Sequence, residues 1–372
     1  MKELREILNC VGQLAPDERA ILATVVDVKG SGYRLAGARM LIDENGYSIG
    51  SVSGGCLESD VLERAKDVLK TGEAAIVTYD STRDENSVFG LQMGCRGVVR
   101  ILLEPANDER LFSFLDATFA ERRTSAITTL IAAKERNIFD LGHRFYWRQG
   151  FQDATDFDGF PDEILPVLTR DIGDSISERR SRTKTYSTQS GELEFFIEVI
   201  EPPPLTLIFG GGHDAIPLAA FAKQLGWLVS VIDRRPAYAT AERFPEADNV
   251  IVGHAEDLDD AIFADENSVA VTMTHHFESD REVVRRLASS RCRYIGILGP
   301  KQRTADLLKE LSDSGTVIDS AVLERIHAPV GLDIGAVTPE SIALSIIAEI
   351  QAFLSRRSGG HLKERKQPIY DR

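Results

Sequence analysis

Apolar residues in the first hundred positions recur at helical and strand periods, and together they predict a small α/β unit. The N-terminus carries apolar residues at helical spacing, at Leu4, Ile7, Leu8, Val11 and Leu14. The β-branched run 21–28 predicts a buried strand. Further strands are expected at 39–42, 48–52, 75–79 and 98–103, with a helix at 58–70. These elements close an N-terminal unit at Pro105.

The next segment, residues 106–200, carries a weaker pattern. It predicts a helix at 109–119 and strands at 125–132 and 193–200, while residues 178–184 are polar and basic. We interpret it as an extension (106–200) of an N-terminal domain, residues 1–200, whose core is 1–105.

A stiff linker, Glu201 followed by three prolines, separates this domain from a stretch of alternating strands and helices. Strands are predicted at 205–209, 227–232, 249–252, 268–273 and 293–298, and helices at 214–225, 256–263, 279–289, 301–312 and 339–354. Such alternation indicates a parallel sheet covered on both faces. The predicted fold class is α/β: an N-terminal α/β domain, then a C-terminal Rossmann-like doubly wound parallel sheet at 205–354 and a flexible tail at 355–372.

Composition narrows the class of partner. The net charge of −15 argues against nucleic acid, because phosphate backbones need a positive surface. No secretory signal and no apolar run of the ~18 residues that a membrane span needs is visible. The four cysteines, Cys10, Cys56, Cys95 and Cys292, form no C-x-x-C pair. Reduced thiols and a cytoplasmic location are therefore expected.

A glycine-rich turn follows the first strand of the C-terminal domain. Residues 210–215, GGGHDA, give G-x-G-x-x-A between a strand and a helix, the pattern of a dinucleotide-binding turn. Gly210 would allow the tight turn, and Gly212 would let a pyrophosphate approach the backbone. Asp233 ends the second strand and could accept hydrogen bonds from a ribose, although two arginines, 234–235, follow it. His213 and Asp214 either cap the helix or face a ligand.

Polar side chains are expected beyond the carboxyl ends of the later strands, where ligands bind in open parallel sheets. Lys301 and Arg303 open a helix and would suit a phosphate. His275 and His276 are adjacent, which is not a metal-ligand spacing, so we do not predict a metal there. One of the two is expected to contact a ligand or to cap the next helix.

Two thiols lie in glycine-rich segments of the N-terminal domain. Cys56 follows Ser53, Gly54 and Gly55 at the start of a predicted helix, where bare backbone N–H groups favour an anion and a thiolate. Cys95 lies between glycines next to an arginine. The alternative is that both are small buried residues without chemistry.

These segments together resemble the XdhC/CoxI family, accessory proteins of xanthine dehydrogenase and related molybdenum hydroxylases. The resemblance is carried by five blocks, at 30–42, 50–58, 208–227, 271–280 with 294–304, and 327–350. One departure is the sequence Cys95-Arg96-Gly97, where many members have Cys-Gly-Gly.

The resemblance implies a dimer that binds the molybdenum cofactor, as molybdopterin or its dinucleotide, supports its sulfuration with a cysteine desulfurase and inserts it into the hydroxylase. The implied cofactor site comprises Ser53, Gly54, Gly55, Cys56, Gly210, Gly212, His213, Asp214 and Asp233. Cys56 is the candidate molybdenum contact, and Cys56 and Cys95 are the candidate reactive thiols. A chaperone without turnover is favoured over an enzyme.

Two other functions stay open. An NAD(P)-dependent oxidoreductase would use the Rossmann-like domain conventionally, but the sequence offers no clear acid–base pair for hydride transfer. A scaffold would bridge the desulfurase and the hydroxylase with the glycine-rich turn empty.

Overall fold

A computed structural model describes residues 2–15, 17–30, 32–82, 97–133, 140–148, 161–189, 191–263, 265–367 and 369. The chain forms two compact units, 2–202 and 203–372. Among the described residues no helix is both long enough and apolar enough to cross a membrane. Each unit is described by itself below.

The first unit begins with a five-stranded antiparallel sheet in the order β3-β2-β1-β5-β4. Its elements are α1 (Lys2–Val11), β1 (Ala20–Gly30), β2 (Arg39–Asp43), β3 (Ser48–Gly50), α2 (Glu58–Thr71), β4 (Ala75–Asp80) and β5 (Gly97–Pro105). The central strand β1 is buried on both faces. Its Ile21, Ala23 and Val25 pack with α2, while Leu22 packs with Ile7 of α1.

A second antiparallel sheet, in the order β7-β6-β9-β8, completes this unit. Its elements are α3 (Glu109–Glu121), β6 (Ser125–Ala133), β7 (Arg144–Arg148), α4 (Leu165–Glu178), β8 (Arg182–Thr188) and β9 (Gly191–Ile200). Strands β7 and β8 and helix α4 were not predicted from the sequence. Strand β8 begins in the basic segment and buries only Tyr186, so no apolar alternation marks it. Helix α4 does carry a signal, since Leu168, Ile172 and Ile176 recur every four residues.

One buried and one part-buried set of ion pairs join the two sheets. Arg39 of β2 makes a two-pronged salt bridge with Glu198 of β9, with N···O distances of 2.7 and 2.6 Å. Arg100 of β5 binds Asp27 on β1 and Glu194 on β9. Because each arginine reaches from one sheet to the other, the two sheets form one compact unit.

The second unit is a six-stranded parallel sheet in the order β12-β11-β10-β13-β14-β15. The strands are β10 (Leu205–Phe209), β11 (Leu228–Asp233), β12 (Asn249–Val252), β13 (Ser268–Thr272), β14 (Tyr294–Ile297) and β15 (Ile326–His327). Numbered from the start of the unit, the order is 3-2-1-4-5-6, which is that of the Rossmann fold. The predicted doubly wound sheet is confirmed, and β10 lies at the point where the strand order reverses.

Helices cover both faces of this sheet. They are α5 (Ala215–Gln224), α6 (Phe277–Ala288), α7 (Lys301–Asp313), α8 (Ser320–Arg325) and α9 (Pro339–Leu354). One core cluster combines residues of α5 and α9 with one face, and another combines residues of α6 and α7 with the opposite face.

The predicted helix at 256–263 is wrong. Two 3-10 helices, Ala255–Asp257 and Asp260–Phe263, take its place. The Arg286 guanidinium donates hydrogen bonds to the carbonyls of Ala255 and Leu258, at 2.6 and 2.8 Å. Those carbonyls therefore bind a side chain from α6 instead of continuing an α-helical ladder.

Candidate functional site

The three glycines of the Rossmann turn have different surroundings. Gly210 has φ +113°, and a Cβ there would lie 2.5 Å from the Met273 carbonyl oxygen. A Cβ on Gly211 would lie 2.4 Å from the carbonyl oxygen of Tyr238. A Cβ on Gly212 would meet no atom within 4 Å. Packing thus requires the first two glycines, whereas Gly212 leaves an open surface of the kind that a phosphate needs to approach the backbone.

The start of α5 presents unused backbone donors. Within the described residues, the amides of Gly212, His213 and Asp214 have no hydrogen-bond partner. The Gly211 amide, by contrast, donates to the Asp233 carboxylate at 2.7 Å. Three consecutive free N–H groups at a helix N-terminus form an anion-binding surface, because the helix dipole adds partial positive charge.

Asp233 is buried, and both of its carboxylate oxygens are occupied. Arg235 donates to one oxygen through its backbone N and Nε, at 2.8 and 2.9 Å, and to the other through Nη2, at 2.7 Å. Burial alone would raise the pKa of Asp233, but hydrogen bonds from Arg235 and Gly211 hold it below its ordinary value. A ribose hydroxyl would have to displace Arg235, so the predicted ribose contact stays a prediction.

The histidines near the turn, His275 and His276, make different contacts. His276 caps α6, since its Nδ1 accepts a hydrogen bond from the Ser279 amide at 3.3 Å. This confirms the cap predicted for one of the adjacent histidines. Asp214 makes no side-chain cap on α5, and its carboxylate lies 3.5 Å from His275 Nε2. His213 is exposed. In the described part of the chain, no group of three or more His, Cys, Asp and Glu side chains is placed to hold a metal.

The two cations expected to bind phosphate at the start of α7, Lys301 and Arg303, have different environments. Arg303 Nη2 binds the buried Asp280 carboxylate at 2.6 Å. Thr272 and Thr274 donate to the same carboxylate, at 2.5 and 2.7 Å. Arg303 therefore neutralises a buried acid, and Lys301, which is exposed, is the cation available to an anion at this helix start.

A cleft of about 250 Å³ lies beyond the carboxyl ends of β10, β11 and β12. Its polar lining includes Asp233, Arg235, His254, Thr274, His276 and Glu282. Asp233 also accepts the Gly211 amide, so the cleft adjoins the glycine-rich turn. His254 was not among the predicted site residues, although it directly follows a predicted strand and Gly253, at the edge of the sheet where ligands bind.

In the N-terminal unit, the segment 50–58 curls around one hydroxyl. Ser53 Oγ accepts hydrogen bonds from the amides of Gly55, Cys56 and Leu57, at 3.2, 3.1 and 3.0 Å. Ser53 in turn donates to the Glu58 carboxylate through its side chain and its backbone N. The N–H groups expected to be bare are thus satisfied internally. This loop holds an exposed Cys56 thiol more readily than it holds an anion.

Ser53→Ala is expected to destabilise this unit by about 1 kcal/mol at neutral pH, because it removes the acceptor of three amides. Burial would raise the pKa of Glu58, but hydrogen bonds from Ser53 and Leu57 lower it below the ordinary value of 4.5. Because the pKa of Glu58 is depressed in the folded state, the stabilisation from its hydrogen bonds with Ser53 is complete above pH 4.5. It is lost as the pH falls further. Urea unfolding at several pH values tests this, with Ser59→Ala as the control. A difference that grows on acidification would contradict it.

Two comparisons identify the family. Residues 206–350 match the model of the XdhC Rossmann domain, and residues 13–80 match that of the XdhC and CoxI family. The chain is 33% identical over 337 residues to a probable xanthine dehydrogenase subunit from Bacillus subtilis (strain 168), and the match covers 91% of this chain and 94% of that relative. The chain belongs to the XdhC and CoxI family. The resemblance found in the sequence is thereby confirmed.

Two further likenesses span nearly the whole of this XdhC and CoxI family member. It is 21% identical over 347 residues to the molybdenum cofactor insertion chaperone PaoD of Escherichia coli (strain K12), covering 93% of this chain and 87% of PaoD. A crystal structure described as a xanthine dehydrogenase from Bacillus halodurans superposes with a TM-score of 0.71 at 29% identity, covering 96% and 97% of the two chains.

The family-matched range 13–80 contains both described glycine-rich loops of the N-terminal unit, and these loops touch. A Cβ on Gly54 would lie 3.1 Å from the Tyr33 ring, so Tyr33 packs directly on the loop that holds Cys56. The Tyr33 side chain is still 64% exposed. An aromatic ring and a thiol are therefore presented together at the surface of this unit. Cys95 lies outside the described residues and outside both matched ranges.

Proposed function

We propose that this protein is an accessory protein of a xanthine dehydrogenase-type molybdenum hydroxylase, which binds the molybdenum cofactor, supports its sulfuration and inserts it into the apo-enzyme. The observation that carries this proposal is the likeness to PaoD, a molybdenum cofactor insertion chaperone, over 93% of the chain. That likeness extends across both compact units, so it concerns the whole chain and not the Rossmann fold alone.

The chemistry of the described residues fits such a cofactor. Molybdopterin is an anionic pterin phosphate whose sulfur atoms hold molybdenum. The free amides of Gly212, His213 and Asp214 would hold the phosphate end, since they are unused donors at a helix N-terminus. The Cys56 thiol would contact the metal or accept sulfur, because thiolates are the ligands that soft metals prefer. The bound cofactor would supply the redox chemistry of the recipient hydroxylase.

Ser53 and Glu58 would act on Cys56 by positioning it. The Cys56 amide and Sγ both lie within hydrogen-bond reach of Ser53 Oγ, at 3.1 and 3.5 Å. The loop is thereby fixed while the thiol stays exposed. A cysteine desulfurase is the proposed sulfur donor, a hydroxylase the recipient and a homodimer in the cytoplasm the working form.

Cofactor insertion is tested by reactivating apo-hydroxylase with purified protein, isolated molybdenum cofactor, a cysteine desulfurase and cysteine. Cys56→Ser is expected to lower the recovered hydroxylase activity at least about tenfold, since serine lacks the soft sulfur ligand. Cys10→Ser, at the partly exposed thiol of α1, is the matched control and is expected to behave as wild type.

The proposal fails if wild-type protein retains no cofactor on gel filtration and does not raise hydroxylase activity. If Cys56→Ser reactivates the hydroxylase as well as wild type does, the assigned role of Cys56 is wrong.

The alternative is an NAD(P)-dependent oxidoreductase, which the Rossmann strand order and the adjoining cleft favour. Two contacts argue against it. His276 caps a helix, and the Asp233 carboxylate is bound by Arg235. Neither side chain is therefore free to transfer a proton to or from a substrate. Substrate-dependent oxidation of NADH or NADPH by the purified protein would establish this alternative.

A further inference from the structure

A second cleft, of about 220 Å³, lies in the N-terminal unit. It is lined by the end of α1, the start of β1 and the hairpin that joins β2 to β3. Leu14, Leu41 and Ile49 give it an apolar wall, and the exposed ring of Tyr47 adds to it. A pocket of this size and lining suits one or two apolar side chains of a protein partner.

The charges around this apolar wall are predominantly negative. Glu18 accepts a hydrogen bond from the Ala15 amide at 2.8 Å, and Asp43 accepts those of Asn45 and Tyr47 at 2.9 and 2.7 Å. These acids bind backbone amides, and within the described ranges neither has a basic side-chain partner. The charged lining residues are Glu18, Arg19, Asp43 and Glu44, which sum to −2. We call this pocket the acidic cleft.

The last residues of the chain have the opposite charge. Residues 355–372, the basic segment, carry a net charge of +4 in a chain whose total is −15, so residues 1–354 together carry −19. Arg356, Lys363 and Lys366 are exposed, and none of them has an acidic partner in the part of the chain that the structure describes. This segment is therefore attracted to acidic protein surfaces.

The basic segment also displays apolar side chains. The Arg357 amide donates to the Ala352 carbonyl at 2.7 Å, and the Arg357 guanidinium donates to the Ile369 carbonyl at 3.1 Å. A 3-10 helix, Leu362–Glu364, lies in the loop between these contacts. The side chains of Leu362 and Ile369 are 67% and 60% exposed. An ordered loop thus presents an apolar anchor among unpaired cations.

We propose that the basic segment of one copy of this chain binds in the acidic cleft of a second copy. Leu362 lies on the apolar wall of the cleft, and the unpaired cations of the segment face the unpaired carboxylates around that wall. The occupant follows from complementarity, because one chain supplies an acidic surface with an apolar wall and a basic segment with an apolar anchor.

Every copy carries both surfaces, so the contact can form twice in a closed dimer. The inference rests on the proposed function only for its homodimer, and it names the surfaces that form that dimer. Self-association is measured without cofactor. Failure of this inference is therefore distinguishable from failure of cofactor insertion.

Sedimentation equilibrium of the full chain, at about 0.15 M ionic strength, tests the proposal, since repulsion beyond about 8 Å is then largely screened. The wild type is expected to dimerise. Two variants reverse the charge of one surface each: Lys363→Glu/Lys366→Glu in the basic segment and Glu18→Lys/Glu44→Lys in the acidic cleft. Each alone is expected to dimerise at least about thirtyfold more weakly, because like charges then meet at both contacts.

An equimolar mixture of these two variants is the decisive sample. The reversed segment of one then meets the reversed cleft of the other, and the two unchanged surfaces meet as well. Both contacts again join opposite charges, so the mixture is expected to form a heterodimer within about threefold of the wild-type affinity. A variant that had simply lost its fold would not be rescued in this way.

The apolar anchor is tested by Leu362→Ser, which is expected to weaken dimerisation at least about tenfold. Val317→Ser is its matched control, at a side chain that is 73% exposed and lies in neither surface. Arg291→Glu/Lys309→Glu controls for net charge, since both cations are exposed and lie outside the two surfaces. Both controls are expected to dimerise as wild type does.

The proposal is overturned if the wild type is monomeric, which would leave the two surfaces to other partners. It is also overturned if both charge-reversal variants dimerise as wild type does, or if each is monomeric and their mixture stays monomeric. Circular dichroism establishes that each variant is folded.

Discussion

Gly212→Val is expected to leave the Rossmann unit folded and to weaken binding of a phosphate-bearing ligand at least about a hundredfold, which corresponds to about 2.7 kcal/mol. The physical reason is the open space around this residue, since a Cβ at Gly212 has no neighbour within 4 Å. A valine side chain would thus project into the space beside the free amides of His213 and Asp214 without disturbing the core. Calorimetric titration and a thermal melt on the same sample measure the two effects.

Gly210→Ala is the matched comparison, two residues away in the same turn. There φ is +113° and the new Cβ would lie 2.5 Å from a backbone oxygen of Met273. Strain and overpacking are expected to destabilise the unit by about 3 kcal/mol or more. Unfolding can be followed by fluorescence of buried Trp227, in a Trp147→Phe background.

If Gly212→Val loses ligand binding but stays stable while Gly210→Ala loses stability, the two glycines have different roles. Gly210 is then required for packing, and Gly212 for ligand binding. If Gly212→Val binds ligand as wild type does, the amides of residues 212–214 are not the phosphate site. If Gly210→Ala is as stable as wild type, the backbone contact with Met273 is not tight.

The sequence predicts the Rossmann unit well because its determinants are local. Strand β10, the turn at 210–215 and helix α5 are consecutive in the chain, and each has a strong pattern. The hydrogen bonds that the Asp233 carboxylate accepts could not be predicted in the same way. Its position at the end of β11 is visible in the sequence, but three of its four hydrogen bonds come from Arg235 and depend on how that residue folds back.

The position of Cys56 next to a helix start was predicted correctly, but the hydrogen bonding of the amides around it was not. The position of Cys56 at a helix start follows from the apolar pattern of α2. The capture of three amides by Ser53 requires the loop to curl around its own serine, which residue types alone do not specify. In the same unit, Arg39 and Glu198 are 159 positions apart, so no sequence window contains their pairing.

Arg39→Met is expected to destabilise the N-terminal unit by about 3–5 kcal/mol, because it leaves Glu198 buried and unpaired. Both side chains are only 6% exposed. The chain has two tryptophans, Trp147 in β7 of this unit and Trp227 in the other unit. Urea unfolding in a Trp227→Phe background therefore reports on the N-terminal unit through Trp147 alone.

The double variant Arg39→Met/Glu198→Leu separates the cost of an orphaned charge from the net contribution of the pair. It is expected to be more stable than Arg39→Met, since apolar replacement of both partners is often close to neutral. Lys66→Met is the control at an exposed pair with Glu63 and is expected to change stability by less than about 1 kcal/mol. If the double variant unfolds as readily as Arg39→Met, the geometry of the salt bridge itself holds the two sheets together. If Arg39→Met matches Lys66→Met, the pair is not buried in the folded protein.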